Sequence, residues 1–263
     1  MDKITIFVIS LKNSEERRKY TSEHFAELGI DFEFFDAING REMSDKELNE
    51  AVWHYELCAL TKGEIGCSLS HIGVYKEIVK RKIPFAVVLE DNTILLDTFK
   101  NAVKEIYEFD LKLKKPAIYH LFSPTRVLKK TKIALKTIDL YRMYSAYGTK
   151  GYAINLQAAE KMAKSLSPVR YVADEWRRFR YSIPATFYAT LPWSVEVAPM
   201  QTTVPDRNTP EIKKKEKIYK RAIILSDLKL QLKILLGRFE RVLFKQEKID
   251  RQNRLKYIKK QGS

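Results

Sequence analysis

Two cysteines, nine glycines and nine prolines in 263 residues leave too little for several classes of protein to be built. Cys58 and Cys67 cannot make a disulfide framework, nor the ligand set of a structural zinc site, so a reducing compartment is expected. Glycine and proline this sparse exclude collagen-like and low-complexity chains. Also missing is any run of about 18 apolar residues, the length a membrane-spanning helix needs. The opening MDKITIFVIS lacks a small-residue cleavage site after its short apolar stretch, so no export signal is expected. What remains is a composition that packs. With 45% hydrophobic, 11% aromatic and 31% charged residues, the chain can bury the core of one large domain, or of a domain with an appendage.

Acids are scarce at one end only. Residues 211–263 hold 17 Lys and Arg against 6 Asp and Glu, a net +11, whereas residues 1–210 hold 31 against 27, a net +4. The overall +15 therefore belongs to a tail and not to the body. Pro199, Pro205 and Pro210, with Asp206 and Asn208 between them, mark the boundary. Two units are expected, 1–210 and 211–263.

Within the body, apolar runs of strand length alternate with segments of helical period. ITIFVIS (4–10) is a buried-strand run, and Ser14 and Glu15 suit the start of a helix over 13–28. FEFFDAI reads as a second strand. Ile65, Leu69, Ile72 and Val79 place a helix between Glu64 and Lys80, and PFAVVLEDN holds a strongly apolar strand that stops at acids. A helix over 98–108, a strand over 117–122, a Lys-rich connection, a short strand GYAI (151–154) and a helix over 156–163 follow. This alternation predicts an α/β fold with a mostly parallel central sheet flanked by helices.

Ligands of open α/β sheets bind beyond the carboxyl ends of strands. There Glu90, Asp91 and Asn92 present three oxygen-bearing side chains, a set that suits a divalent cation shared with a diphosphate; the plain alternative is an acidic turn. LTKGEIGCSLSH (60–71) has capping-box spacing at Thr61 and Glu64. Its Lys62 and free backbone N–H groups also suit a phosphate, and Ser68, Ser70 and His71 are polar for a helix that otherwise reads as buried. VADEW places Asp174 and Glu175 before Trp176: either a general base beside a sugar-stacking ring, or an acidic helix start with a core tryptophan.

Taken in order, IFVISLKNSEERR, FEFFDAING, LTKGEIGCSLSH, VVLEDN, GTKGYAINLQAAEKM and VADEW resemble the blocks of glycosyltransferase family 25, which includes bacterial lipooligosaccharide galactosyltransferases and is related to collagen galactosyltransferases. The resemblance stops before the basic tail. It implies a GT-A-like fold, a UDP-sugar donor (UDP-galactose first, UDP-glucose second) and a divalent metal, Mn²⁺ or Mg²⁺. It also implies inverting transfer to a saccharide hydroxyl of lipooligosaccharide or a similar surface glycan. On that resemblance Glu90 and Asp91 contact the donor, Asp91 and Asn92 the metal, and Asp174, with Glu175 as the alternative, is the base. Arg17, Asp36 and Lys62 are nucleotide or diphosphate contacts and Glu64 holds donor-sugar hydroxyls, while Tyr152 and Trp176 either shape the sugar site or belong to the core. One residue departs from the family: an amide, Asn92, stands where an acid is usual, which points to weak metal binding, metal-independent transfer or a catalytically silent member of the fold.

In the tail, Leu225, Leu228, Leu232, Leu235 and Phe239 recur at helical steps between Lys229, Lys233, Arg238, Arg241 and Lys245. A basic amphipathic helix over 221–245, interrupted at Gly237, is expected either to lie on an anionic membrane or to pack on the body or on another copy of the chain. The final 251–263 is expected to fray. A nucleic-acid reader would interleave aromatic residues with its basic ones, and the tail has only Tyr219, Phe239, Phe244 and Tyr257. The resulting expectation is a cytoplasmic enzyme peripheral to the inner membrane, with a lipid-linked acceptor and with homo-oligomerisation left open.

Overall fold

The structure, a computed structural model, describes residues 4–199 and 210–257. Its elements run β1 (Thr5–Ser10), α1 (Glu15–Glu27), β2 (Glu33–Asp36), α2 (Asp45–Ala51), α3 (Lys62–Lys80), β3 (Phe85–Glu90), β4 (Thr93–Leu95), α4 (Phe99–Leu113) and β5 (Ala117–His120). They continue with β6 (Pro124–Ala134), β7 (Asp139–Ala146), β8 (Gly151–Asn155), α5 (Leu156–Ser165), α6 (Trp176–Ser182), β9 (Thr186–Leu191), β10 (Val195–Val197), α7 (Pro210–Leu225), α8 (Leu228–Leu243) and β11 (Gln246–Lys248). Nine strands make one sheet in the order β11-β6-β7-β9-β5-β8-β3-β1-β2, and β4 pairs with β10 beside it.

The period-2 alternation of the central strands sorts their side chains into two layers. Phe7 and Ile9 of β1, Val88 of β3 and Ile118 of β5 join Val74, Tyr75 and Ile78 of α3 and Ala158 and Met162 of α5. Ile6 and Val8, Val87 and Leu89, and Tyr119 join Phe25 of α1 and Phe99, Val103 and Ile106 of α4 on the other side. Both faces are covered, which is why these strands read as continuous apolar runs.

The expected α/β architecture is therefore present, but parallel pairing is confined to β2–β1–β3 and to β5–β9. The reason lies in the Lys-rich stretch expected to be a connection. It forms the long hairpin β6–β7, and without a crossover helix between them these strands, and β8 after them, pair antiparallel.

The helix α3 starts with the capping box read from the sequence: the Thr61 hydroxyl accepts from the Glu64 N–H, and the Glu64 carboxylate accepts from the Thr61 N–H at 2.8 Å. The loop after β2 crosses this first turn at backbone contact. A Cβ on Gly40 would sit 1.8 Å from the Lys62 carbonyl oxygen, and one on Gly66 2.5 Å from that of Ile38, so both positions require glycine.

The tail departs from expectation in three ways. It is two helices, because Ser226 and Asp227 break the run and Asp227 caps α8 through the Leu230 N–H at 3.0 Å. Gly237 does not interrupt α8; a Cβ there would lie 2.3 Å from the Tyr181 hydroxyl, so the glycine lets the helix approach α6. Beyond α8, β11 pairs with β6 and Ile249 enters the core, and within the segment expected to fray the described residues 251–257 are held, the Arg254 side chain donating to the Trp193 carbonyl at 2.8 Å. Residues 258–263, and all of the boundary stretch expected from Pro199 to Pro210 except its two end residues, lie outside the described residues.

Candidate functional site

The parallel strands β2, β1 and β3 end side by side, with Ser10 in register with Asp36 and Ile9 with Glu90. Over these ends opens a cleft of about 370 Å³, lined by the β1–α1 turn, the loop 37–41, the inner face of early α3, and Glu90, Asp91, Asn92 and Lys150. Of the residues proposed from sequence, Arg17, Glu90, Asp91 and Asn92 line it.

Each acid at the strand end is already engaged. The Asp91 carboxylate accepts from the Ser10 hydroxyl at 2.8 Å and from Arg17 Nη1 at 3.0 Å, while its carbonyl accepts from the Thr21 hydroxyl. Glu90 accepts from the Thr149 hydroxyl and from Lys150 Nζ at 2.5 Å, and the same ammonium lies 3.3 Å from Asn92 Oδ1. Burial pushes the Glu90 carboxyl upward, but the charge of Lys150 and the bonds from Lys150 and Thr149 outweigh it and hold the pKa below the usual range. Burial likewise opposes the charge on Lys150, and Glu90 more than compensates, raising it. The pair is fully ionised near neutral pH.

This arrangement does not fit the divalent cation expected at Asp91 and Asn92. A cation needs carboxylate oxygens it can claim, and here Arg17 and Ser10 hold those of Asp91, whereas one ammonium occupies both Glu90 and the Asn92 amide oxygen. Among the described residues no group of three His, Cys, Asp or Glu side chains is placed to hold a metal.

Behind the cleft wall is a buried relay. His71 Nδ1 is 2.8 Å from the Tyr152 hydroxyl, which donates to Tyr75 at 2.9 Å, and the other ring nitrogen of His71 is buried without a partner. Burial lowers the His71 pKa to about 4, so the ring is neutral. Tyr152 does not line the cleft; it positions His71, which does.

The family model described as glycosyltransferase family 25 (LPS biosynthesis protein) matches residues 3–176. The chain belongs to glycosyltransferase family 25. A Drosophila melanogaster glycosyltransferase 25 family member is 32% identical over 169 residues, and mouse procollagen galactosyltransferase 2 is 29% identical over 170. Each match covers 60% of this chain and 27% of the relative, so the chain spans about a quarter of the length of these relatives. A solved glycosyltransferase involved in glycosylating the major capsid of PBCV-1 aligns over 82% of this chain and 98% of its own, with 12% identity and a TM-score of 0.41, too loose a likeness to bear on the site.

The remaining proposed residues of this family 25 chain are dispersed around the cleft. Asp36 pairs with Arg18 and stays largely exposed. Lys62 turns away, donating to the Met43 carbonyl at 3.1 Å and lying 3.5 Å from Asp45. Glu64 is buried in its capping box. Asp174 accepts from the Gly148 N–H at 2.8 Å, just before Thr149 and Lys150. Glu175 lies 3.6 Å from Arg178 and 3.7 Å from Lys220, facing the C-terminal helices. Trp176 is fully buried, its indole N–H donating to the Gly148 carbonyl at 2.8 Å, so the core reading of that ring is the observed one. The Cys67 thiol, in the cleft wall, marks the convergence: burial first, then Glu90, Asp174 and Glu64 push its pKa up against the pull of Lys150.

Sequence reasoning missed Ser10, Arg41 and Lys150, all in the lining. The signal for Lys150 was its place between Thr149 and Gly151 at the start of β8, the strand that pairs with β3 and so brings position 150 beside Glu90.

Proposed function

We propose that the chain transfers a hexose, galactose first and glucose second, from a UDP-sugar to a saccharide hydroxyl of lipooligosaccharide or a similar surface glycan, with inversion. The observation that carries this is the cleft itself, in a chain of family 25: a basic pair, Arg17 and Lys150, held by Asp91 and Glu90 at the ends of parallel strands. Galactose is favoured by the names of the procollagen galactosyltransferase relatives.

The UDP leaving group gathers negative charge as its bond to the sugar breaks, and a fixed cation there stabilises the transition state without reorganising. Lys150 supplies that charge in this reading, with Arg17 beside the nucleotide side of the cleft. Asp174, engaged by one backbone N–H and near Cys67, is the base that takes the acceptor proton; Glu175 is committed to Arg178 and Lys220. His71 offers its unpartnered ring nitrogen to a donor hydroxyl. Calorimetry with UDP and UDP-galactose, with chelator or with Mn²⁺, is the test. Binding that survives chelation supports the reading, binding only with Mn²⁺ restores the metal at Asp91 and Asn92, and no binding under either condition removes the transferase.

A further inference from the structure

The helix α8 has two apolar faces. One is spent on the body: Leu230 is buried, Gly237 lies against Tyr181, and Glu240 on its flank bonds both Arg142 and Arg180, the latter at 2.6 Å. The other is open. Leu232, Leu235, Leu236, Phe239, Val242 and Leu243 are each 50–76% exposed. At about 100° per residue they fall within a sector of about 120° opposite Leu230 and Gly237, with no charged residue inside it. Apolar patches of this kind on a folded chain mark interaction surfaces.

The charges beside that face select its partner. Lys233 is exposed along one edge of it and Lys245 just past its C-terminal end, and on the adjoining α7 the exposed Ile218 and Leu225 sit among exposed Lys214, Lys217 and Arg221. A second copy would bring these basic rims against each other. An anionic lipid surface instead neutralises the rims while its headgroup boundary takes the leucines and Phe239. No helix among the described residues is long and apolar enough to cross a bilayer. We infer that α8, braced on the body by its inner face, docks this chain in the plane of an anionic membrane through its outer face.

The inference goes beyond the transfer reaction, and vesicle binding is measured without substrate, so either can fail alone. Co-sedimentation of the full chain with phosphatidylglycerol-containing vesicles and with phosphatidylcholine vesicles is the experiment. Binding is expected to prefer the anionic vesicles and to weaken with salt. In Leu235→Glu/Phe239→Glu it should fall at least about tenfold, with the unfolding midpoint unchanged because both side chains are outside the core. Equal binding to both vesicles, or a double variant that binds like the parent, overturns the inference. So does a parent chain that dimerises without lipid where the double variant is monomeric, an outcome that assigns the face to a second copy.

Discussion

Positive charge is used in opposite ways in the cleft and on the C-terminal helices. In the cleft two cations are bolted to acids: Arg17 to Asp91, Lys150 to Glu90, with Thr149, Ser10 and Thr21 completing the bonds. On α7 and α8 most basic side chains are exposed, around apolar surface. A buried ion pair is costly to assemble and keeps a fixed direction, which suits a ligand with a defined shape. Exposed lysines keep their rotamer freedom and are screened by salt, which suits a diffuse anionic surface. The same residue type thus serves orientation in one region and accumulation in the other.

Acid should separate the two regions most strongly. His71 and His120 are buried and neutral, with burial lowering each pKa to about 4 against the raising pull of Glu90 on His71 and of the Phe122 and Gly148 carbonyls on His120. Unfolded, each takes up its proton near 6.5. Between those values the unfolded chain binds more protons than the native one, so stability present above pH 6.5 is lost as pH falls toward 4, by up to about 3 kcal/mol for each ring. Urea unfolding from pH 7 to 4 reads this directly, and a flat profile contradicts the neutral rings. Residues 211–263 contain no histidine, so vesicle binding should not follow that curve.

Next in size is Asp174→Asn, which should leave UDP affinity nearly intact while turnover falls about 10²-fold. Unchanged turnover with a slow Glu175→Gln moves the base by one residue, despite the ion pairs of Glu175. A smaller effect tests the fixed cation. In Glu90→Gln/Lys150→Gln neither charge is left buried and unpaired; UDP affinity should drop about tenfold and Mn²⁺ should not restore it. Rescue by Mn²⁺ would return a metal to this strand end. The smallest concerns the brace of α8. Alanine at Gly237 gains roughly 1 kcal/mol of helix propensity but drives a Cβ into the Tyr181 ring, at about 1–3 kcal/mol for overpacking. The net expectation is a loss of up to about 2 kcal/mol in the unfolding free energy, and a stabilised variant would show that α8 is not pressed on α6.

The parts of the fold legible in the sequence were those whose signal is local. The apolar run of β1, the capping box of α3 and the abrupt end of β3 at Glu90 each announce themselves within a few residues. The hairpin β6–β7 did not, because PTRVLKKTKIA has exposed lysines among half-buried positions and imitates a solvated connection. In the site, Asp91 stood out as an acid after an apolar strand, but Lys150 is one of many lysines until β8 pairs with β3 and sets it beside Glu90. Lys62 and Asp36 were plausible for the opposite reason: their charged partners, Asp45 and Arg18, come from helices outside the segments LTKGEIGCSLSH and FEFFDAING that carry them. On α8 the apolar repeat was visible, but which stripe faces inward depends on Tyr181, Arg142 and Arg180, which lie far away in sequence.

The three residues of β11 guard the sheet. β6 is eleven residues long, and without β11 beside it a row of backbone donors and acceptors would face solvent, an invitation to pair with any other chain. Gln246, Glu247 and Lys248 present a short polar border instead, with Glu247 pinned 3.0 Å from Lys129. Cutting the chain before α7 would therefore remove more than a basic appendage. The shortened protein would be expected to stick to itself, and a loss of vesicle binding in such a truncation would be confounded by aggregation, which is why point changes on the outer face of α8 are the cleaner instrument.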